Sequence, residues 1–305
     1  MKRKASMFFS LLLLASLLLA SCEKVNLDEP EGRLEPEGGV KVRFSIANLT
    51  QIPFEGDVAT PPSGAALSAV CTRISFAIYQ ADGAVYDARH QQSTDPEFGT
   101  LTTSLPPGNY KIIVLAHSGL AVPTFESWER VKFKDNKLTD TFYCVKDIEV
   151  AGGGSYEFEL KRAVSMFRLV VSDAIPPGVK RMKFYYTGGS STFDPLSGFG
   201  CVNSRQTEYR EVPADGHDAG RQFEVYTFPH AEEDELKMTV TALNADNETV
   251  AEHVFTAVPV RRNVITPYSG SFFGGTPTGG QGGGGGDVTF TLSFDTSWTT
   301  ITHSY

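Results

Sequence analysis

Histidines, cysteines and serines are the residue types here that could do nucleophilic, acid–base or metal chemistry, so their spacing comes first. The six histidines, His90, His117, His217, His230, His253 and His303, are scattered singly along the chain. His117 ends an apolar strand pattern and His230 follows Phe228-Pro229, places that suit structural histidines. Metal and catalytic sites require ligands or partners that converge, and their sequence signatures are fixed spacings. H-E-x-x-H, C-x-x-C, G-x-S-x-G, a P-loop and an EF-hand loop are all missing. Gly188-Gly189-Ser190-Ser191 holds serines on a flexible run, but no His or Asp is placed to activate them, and the run reads as a turn. Asp82, Asp246 and Asp287 lie in loops without a D-x-D pattern. The reading is therefore a protein that binds and assembles, not an enzyme, with no metal and no cofactor.

Cys22 is the exception. Lys2, Arg3 and Lys4 precede an apolar run over 8–19, too short to span a bilayer comfortably and suited to a secretory leader. The run closes on Leu19-Ala20-Ser21-Cys22, which resembles a bacterial lipobox, cut before Cys22 and acylated on it. Residues 1–21 are then a signal peptide, and acyl chains on Cys22 tie the protein to outer-membrane lipid at about 0.8 kcal/mol per buried CH₂. Removing three cations moves the formal charge from −9 to −12 (−9 minus 3), which offers nucleic acid no electrostatic footprint. Cys71, Cys144 and Cys201 remain. An odd number allows at most one internal disulfide, with Cys71 and Cys144 as the candidate pair, both in the first half. The alternative is three reduced thiols behaving as small apolar residues.

The elements that position these residues are strands. Residues 22–39 are polar, acidic and rich in Pro and Gly, and read as a tether. Beyond them apolar residues alternate with period two: Val40, Val42, Phe44 and Ile46; Ile74, Phe76 and Ile78; Tyr110, Ile112 and Val114; Phe167, Leu169 and Val171; Met182, Phe184 and Tyr186; Leu236, Met238 and Val240. Each set predicts a half-buried strand with one apolar face. Ala81-Asp82-Gly83, Pro106-Pro107-Gly108-Asn109 and Asn244-Ala245-Asp246-Asn247 are turns. Short helical turns are expected near 125–130 and 231–235. The pattern predicts an all-β chain of β-sandwiches, in two domains over 40–162 and 163–305 with little linker near 160–165. The hairpins over 74–85 and 238–250 suggest that one unit is repeated.

In the tail, residues 279–286 are glycine apart from Gln281, a leash of about 27 Å at full extension. A strand follows over 287–301, with Val288, Phe290, Leu292 and Phe294 on one face. It has two possible partners: its own domain, or another molecule.

Several segments resemble the FimB/Mfa-type fimbrial subunits, the fimbrillin-like, fimbrium-anchor lipoproteins of Bacteroides relatives. They include Ile74-Ser75-Phe76-Ala77-Ile78-Tyr79, Leu105-Pro106-Pro107-Gly108-Asn109-Tyr110-Lys111, Tyr226-Thr227-Phe228-Pro229-His230 and Val258-Pro259-Val260-Arg261-Arg262-Asn263. The resemblance spans most of 40–275. It implies two transthyretin-like β-sandwich domains in tandem, a surface-exposed location on the outer membrane, a role in adhesion, and other fimbrial subunits as partners. It further implies assembly by exchange of strands, for which Val288, Phe290, Leu292 and Phe294 are the candidate residues. Stalk members lose an N-terminal strand after an Arg, and Arg33 and Arg43 are the candidates. The rival reading is a surface glycan-binding lipoprotein with Trp128, Trp298 and exposed tyrosines as a sugar platform.

Overall fold

The computed structural model describes residues 38–50 and 67–274 and the backbone of Thr291–Leu292. Cys22, Arg33, the leader, the tether up to 37, Trp298, His303 and most of the tail lie outside the described residues. The chain is all-β. Its only helical pieces among the described residues are the turn α1 (Leu67–Val70) and a 3₁₀ turn over Lys134–Asn136.

The first half carries β1 (Val40–Leu49), β2 (Arg73–Gln80), β3 (Val85–Gln92), β4 (Thr100–Leu105), β5 (Gly108–His117), β6 (Thr124–Ser127), β7 (Arg130–Lys132), β8 (Thr141–Val150) and β9 (Gly154–Arg162). The second carries β10 (Ser165–Val171), β11 (Arg181–Gly189), β12 (Thr192–Asp194), β13 (Phe199–Gly200), β14 (Ser204–Glu211), β15 (Arg221–Thr227), β16 (Asp234–Leu243), β17 (Thr249–Val260), β18 (Ile265–Gly270) and β19 (Thr291–Leu292).

One topology occurs twice. Sheet β3-β2-β5-β8 matches β14-β11-β16-β17, and the neighbours β4-β1-β9 match β15-β10-β18. In each half the first strand runs parallel to a late one, β1 to β9 with Phe44 beside Tyr156 and β10 to β18 with Leu169 beside Tyr268. The repeat suggested by the sequence therefore exists, but its register differs. The hairpin over 238–250 belongs to β16 and β17, whose counterparts are β5 and β8 and not β2 and β3.

Alternation places Val42, Phe44, Ile74, Phe76, Ile112 and Phe158 in one sandwich core, and Phe167, Leu169, Phe184, Met238 and Val240 in the other. Each such side chain contributes about 1.5–3 kcal/mol by leaving water. A third core lies beyond what period-two alternation predicts. Tyr79, Ile113, Leu115, Tyr143, Phe193 and Phe228 pack together on the outer face of β2-β5-β8, so these strands are apolar on both faces and not on one. Their cover is a small sheet, β13-β12-β7-β6, with two strands from each half. The expected helical turn near 125–130 is in fact the β6–β7 hairpin, and 231–235 bends directly into β16. Gly188 and Gly189, read as a turn, end β11 in a bulge. Gly188 has φ +94°, and a Cβ there would lie 2.4 Å from the Glu235 carbonyl oxygen, so this bulge requires glycine.

Candidate strand-exchange site

The two-residue strand β19 lies on the outer edge of β18. Its backbone pairs antiparallel, Leu292 opposite Tyr268 and Thr291 opposite Ser269. That places part of the predicted tail strand at the end of the series β15-β10-β18-β19. Val288, Phe290 and Phe294 lie outside the described residues. A sheet edge offers a row of unpaired N–H and C=O groups, so it takes up whatever extended segment reaches it.

Between β17 and β18 the two sheets are joined by side chains instead of a ladder: the Thr266 hydroxyl donates to the Pro259 carbonyl at 2.6 Å, and the Tyr268 hydroxyl to that of Ala257 at 3.4 Å. In the first half the corresponding strands β8 and β9 do form a short ladder, Phe142 opposite Arg162 and Tyr143 opposite Lys161, and the Tyr156 hydroxyl donates to the Glu149 carbonyl at 2.7 Å. Tyr268 is fixed by Phe167 and Phe255, with ring centroids 5.6 and 5.0 Å away. A cleft of about 730 Å³ lies beside β17 and β18, with Pro259, Val260, Val264 and Thr266 in its lining and Glu233 and Glu235 among its acids.

Where the chain leaves β18, Asp173 clasps it. The Asp173 carboxylate accepts from the amides of Phe272 (2.8 Å) and Phe273 (2.7 Å) and from the Ser271 hydroxyl (2.8 Å). Burial by itself would raise this carboxyl, but the Phe272 amide, the Ser271 hydroxyl and the Phe273 amide hold it below the ordinary carboxylate range. The His253 Nε2 lies 2.9 Å from the Phe272 carbonyl oxygen, and Phe272 is buried. Nothing in the spacing of Asp173 in the sequence points to this role.

At the other end of the chain, β1 is an interior strand between β4 and β9. Its inward residues Val42 and Phe44 are fully buried, and Phe44 sits edge-on to Phe158 at 5.8 Å. Arg43 faces outward, 3.8 Å from Glu97. Cys71, Cys144 and Cys201 are free thiols. Cys71 packs inside the first sandwich core, where burial pushes its thiol up to about 12, and Cys144 borders the same core. Every described histidine has a bond to backbone or to a serine: His90 to Ser75, His117 to Gly119, His217 to Ile175, His230 to Gly200 and His253 to Phe272. Among the described residues no three His, Cys, Asp or Glu side chains gather as a metal site would need, and no helix is long and apolar enough to cross a membrane.

Fold and site together describe a β-sandwich protein with an extended segment laid along a sheet edge. The sequence profile of the fimbrillin-A associated anchor proteins Mfa1 and Mfa2 matches residues 29–300, and the chain belongs to that family. It is thus a subunit of the fimbrial and adhesin type, located at the cell surface or in the envelope. Solved structures to which it is similar include the fimbrial anchor protein Mfa2 from Porphyromonas gingivalis (TM-score 0.40, 13% identity, 76% of this chain and 90% of that one). Others are the C-terminally truncated tip fimbrial protein Mfa3 from Porphyromonas gingivalis (0.39, 8%, 76% and 95%) and a candidate adhesin from Bacteroides ovatus (0.46, 13%, 72% and 82%). Comparison with curated proteins finds no match.

Proposed function

We propose that this chain is a lipid-anchored fimbrial subunit of the outer membrane, acylated at Cys22, that joins other fimbrial subunits by exchanging its C-terminal strand. In this reading two transthyretin-like domains, 40–162 and 163–305, form the body. The glycine leash over 279–286 carries the strand over 287–301 to a sheet edge. The observation that carries the proposal is the pairing of Thr291–Leu292 with the outer edge of β18. A segment held there by main-chain bonds can be replaced by an equivalent strand of another subunit. Val288, Phe290, Leu292 and Phe294 supply register, since a one-residue slip would turn all four to water. Burying all four would contribute about 6–12 kcal/mol, and ordering the strand would offset most of it. Such a balance favours exchange.

The test has two arms in native cells. Deleting 287–305 is expected to leave a folded protein that no longer joins the fimbria, and Cys22→Ala is expected to abolish palmitate labelling and release the protein. A truncated chain that unfolds as an isolated monomer would assign the strand to its own core. Unchanged palmitate labelling in the Cys22→Ala protein would remove the anchor.

A further inference from the structure

One end of the sheet β2-β5-β8 carries a cleft that strand pairing does not use. On the outer face, Tyr79, Lys111 and Asp147 stand side by side on three adjacent strands, and two residues further along Asn109 stands opposite Glu149. Side chains directly opposed across antiparallel strands share a face, so Lys111, Asp147, Asn109 and Glu149 form one polar floor, and the buried Tyr79 beside them belongs to the third core. The tip of the β6–β7 hairpin sets Trp128 beside it. Its ring centroid is 6.2 Å from that of Tyr79, and the Lys111 Nζ lies 5.6 Å from its indole. Gly83, with φ +87°, backs the indole, and a Cβ on it would lie 3.3 Å from the ring. The cleft measures about 480 Å³, within the range of small-ligand sites.

The polar groups of the floor are largely unused by the fold. The Lys111 ammonium meets Asp147 at 2.6 Å and has donors to spare. The exposed side chains of Asn109 and Glu149 make no hydrogen bond to described residues. One ammonium against two carboxylates gives a charge of −1, which disfavours an anionic ligand. An indole wall beside an amide, an ammonium and two carboxylates suits a ligand with one flat C–H face and a rim of hydroxyls. A β-linked pyranose is such a ligand: its hydroxyls donate to carboxylates and accept from Lys111 and Asn109, while its axial C–H face lies on the ring.

We propose that this cleft binds a neutral glycan, with one β-linked pyranose residue against Trp128 and its hydroxyls on Asn109, Lys111, Asp147 and Glu149. This is independent of strand exchange. The full chain carrying Trp298→Phe, so that Trp128 is its only indole, would be titrated with cellotriose, chitotriose and lactose, followed by fluorescence and calorimetry. Saturable binding of at least one sugar is expected. Asn109→Ala and Glu149→Ala, at exposed positions that leave the fold unchanged by circular dichroism, are each expected to weaken it about five- to tenfold, the effect of one lost hydrogen bond. Trp128→Phe is expected to weaken it while retaining ring packing against Tyr79. Absence of saturable binding with all three sugars would overturn the proposal, as would binding that neither Asn109→Ala nor Glu149→Ala changes.

Discussion

His117 closes β5 at 1% exposure, edge-on to Phe133 at 5.5 Å, with its Nδ1 accepting from the Gly119 amide at 3.0 Å. Its Nε2 has no hydrogen-bond partner among the described residues. Burial, reinforced by the nearby Arg73 and His90, lowers it to about 4. An unfolded chain protonates this imidazole near pH 6.5 and the folded chain does not, so stability rises with pH between about 4 and 6.5 and is lost on acidification through that window. The size is about 3 kcal/mol for a shift of this order. His117→Asn, whose amide oxygen can accept the same Gly119 bond, is expected to flatten most of this dependence in urea titrations at pH 7 and pH 4.5. An unchanged slope would show that His117 is not its source. Cys71 illustrates the same scale: spacing left a disulfide and a buried thiol both open, and the side chain is a core residue with a free thiol.

At the scale of elements, the exit of β18 is the decisive junction, because it sets where the tail begins. Asp173 gives two amides and a hydroxyl the acceptor that water would otherwise supply. Hydrogen bonds to a charged group contribute more than neutral ones. Asp173→Ala is expected to cost about 1–3 kcal/mol by urea unfolding and to leave Phe272 less firmly seated. Because the folded carboxyl sits below its ordinary range, this contribution is present above about pH 4 and fades only as pH falls further. A loss under 0.5 kcal/mol would make the clasp incidental. Long strands with clean alternation, β1, β2, β5, β10, β11 and β16, were legible in the sequence, whereas β8 and most of the twelve-residue β17 were not. Nor were the short ones: β6 and β7 have four and three residues, too few to show a period, and only their pairing makes them strands.

For the whole molecule, the small sheet β13-β12-β7-β6 matters most. It takes β6 and β7 from before residue 162 and β12 and β13 from after it. Around it, Tyr143 meets Phe193 at 4.8 Å, and Phe193 stacks on Phe228 at 4.7 Å. Arg162, 3% exposed, binds Asp140 through two nitrogens (2.7 and 2.8 Å) and Asn263 at 2.6 Å. Cutting between 162 and 163 exposes this apolar face and takes the Asn263 acceptor from Arg162, both of which are destabilising. Residues 40–162 made alone are therefore expected to aggregate, to become soluble when co-expressed with 163–305, and the full chain is expected to unfold in one urea transition. An isolated half that unfolds cooperatively at the midpoint it shows in the full chain would overturn this.

The sequence alone determined the all-β class, the positions of several long strands and several of the turns between them. These follow from a period of two and from turn chemistry, which are local properties that neighbouring residues encode. Ile112, Ile113, Val114 and Leu115 form a continuous apolar run, of which alternation by itself accounts for one buried face. Only the tertiary structure decided that both faces are covered, that the cover comes from two distant hairpins, and that Trp128 comes to stand beside Lys111. Those outcomes depend on pairings between residues dozens of positions apart, such as Val131 with Phe193. Local pattern can state that a face is apolar but not which remote strand will bury it.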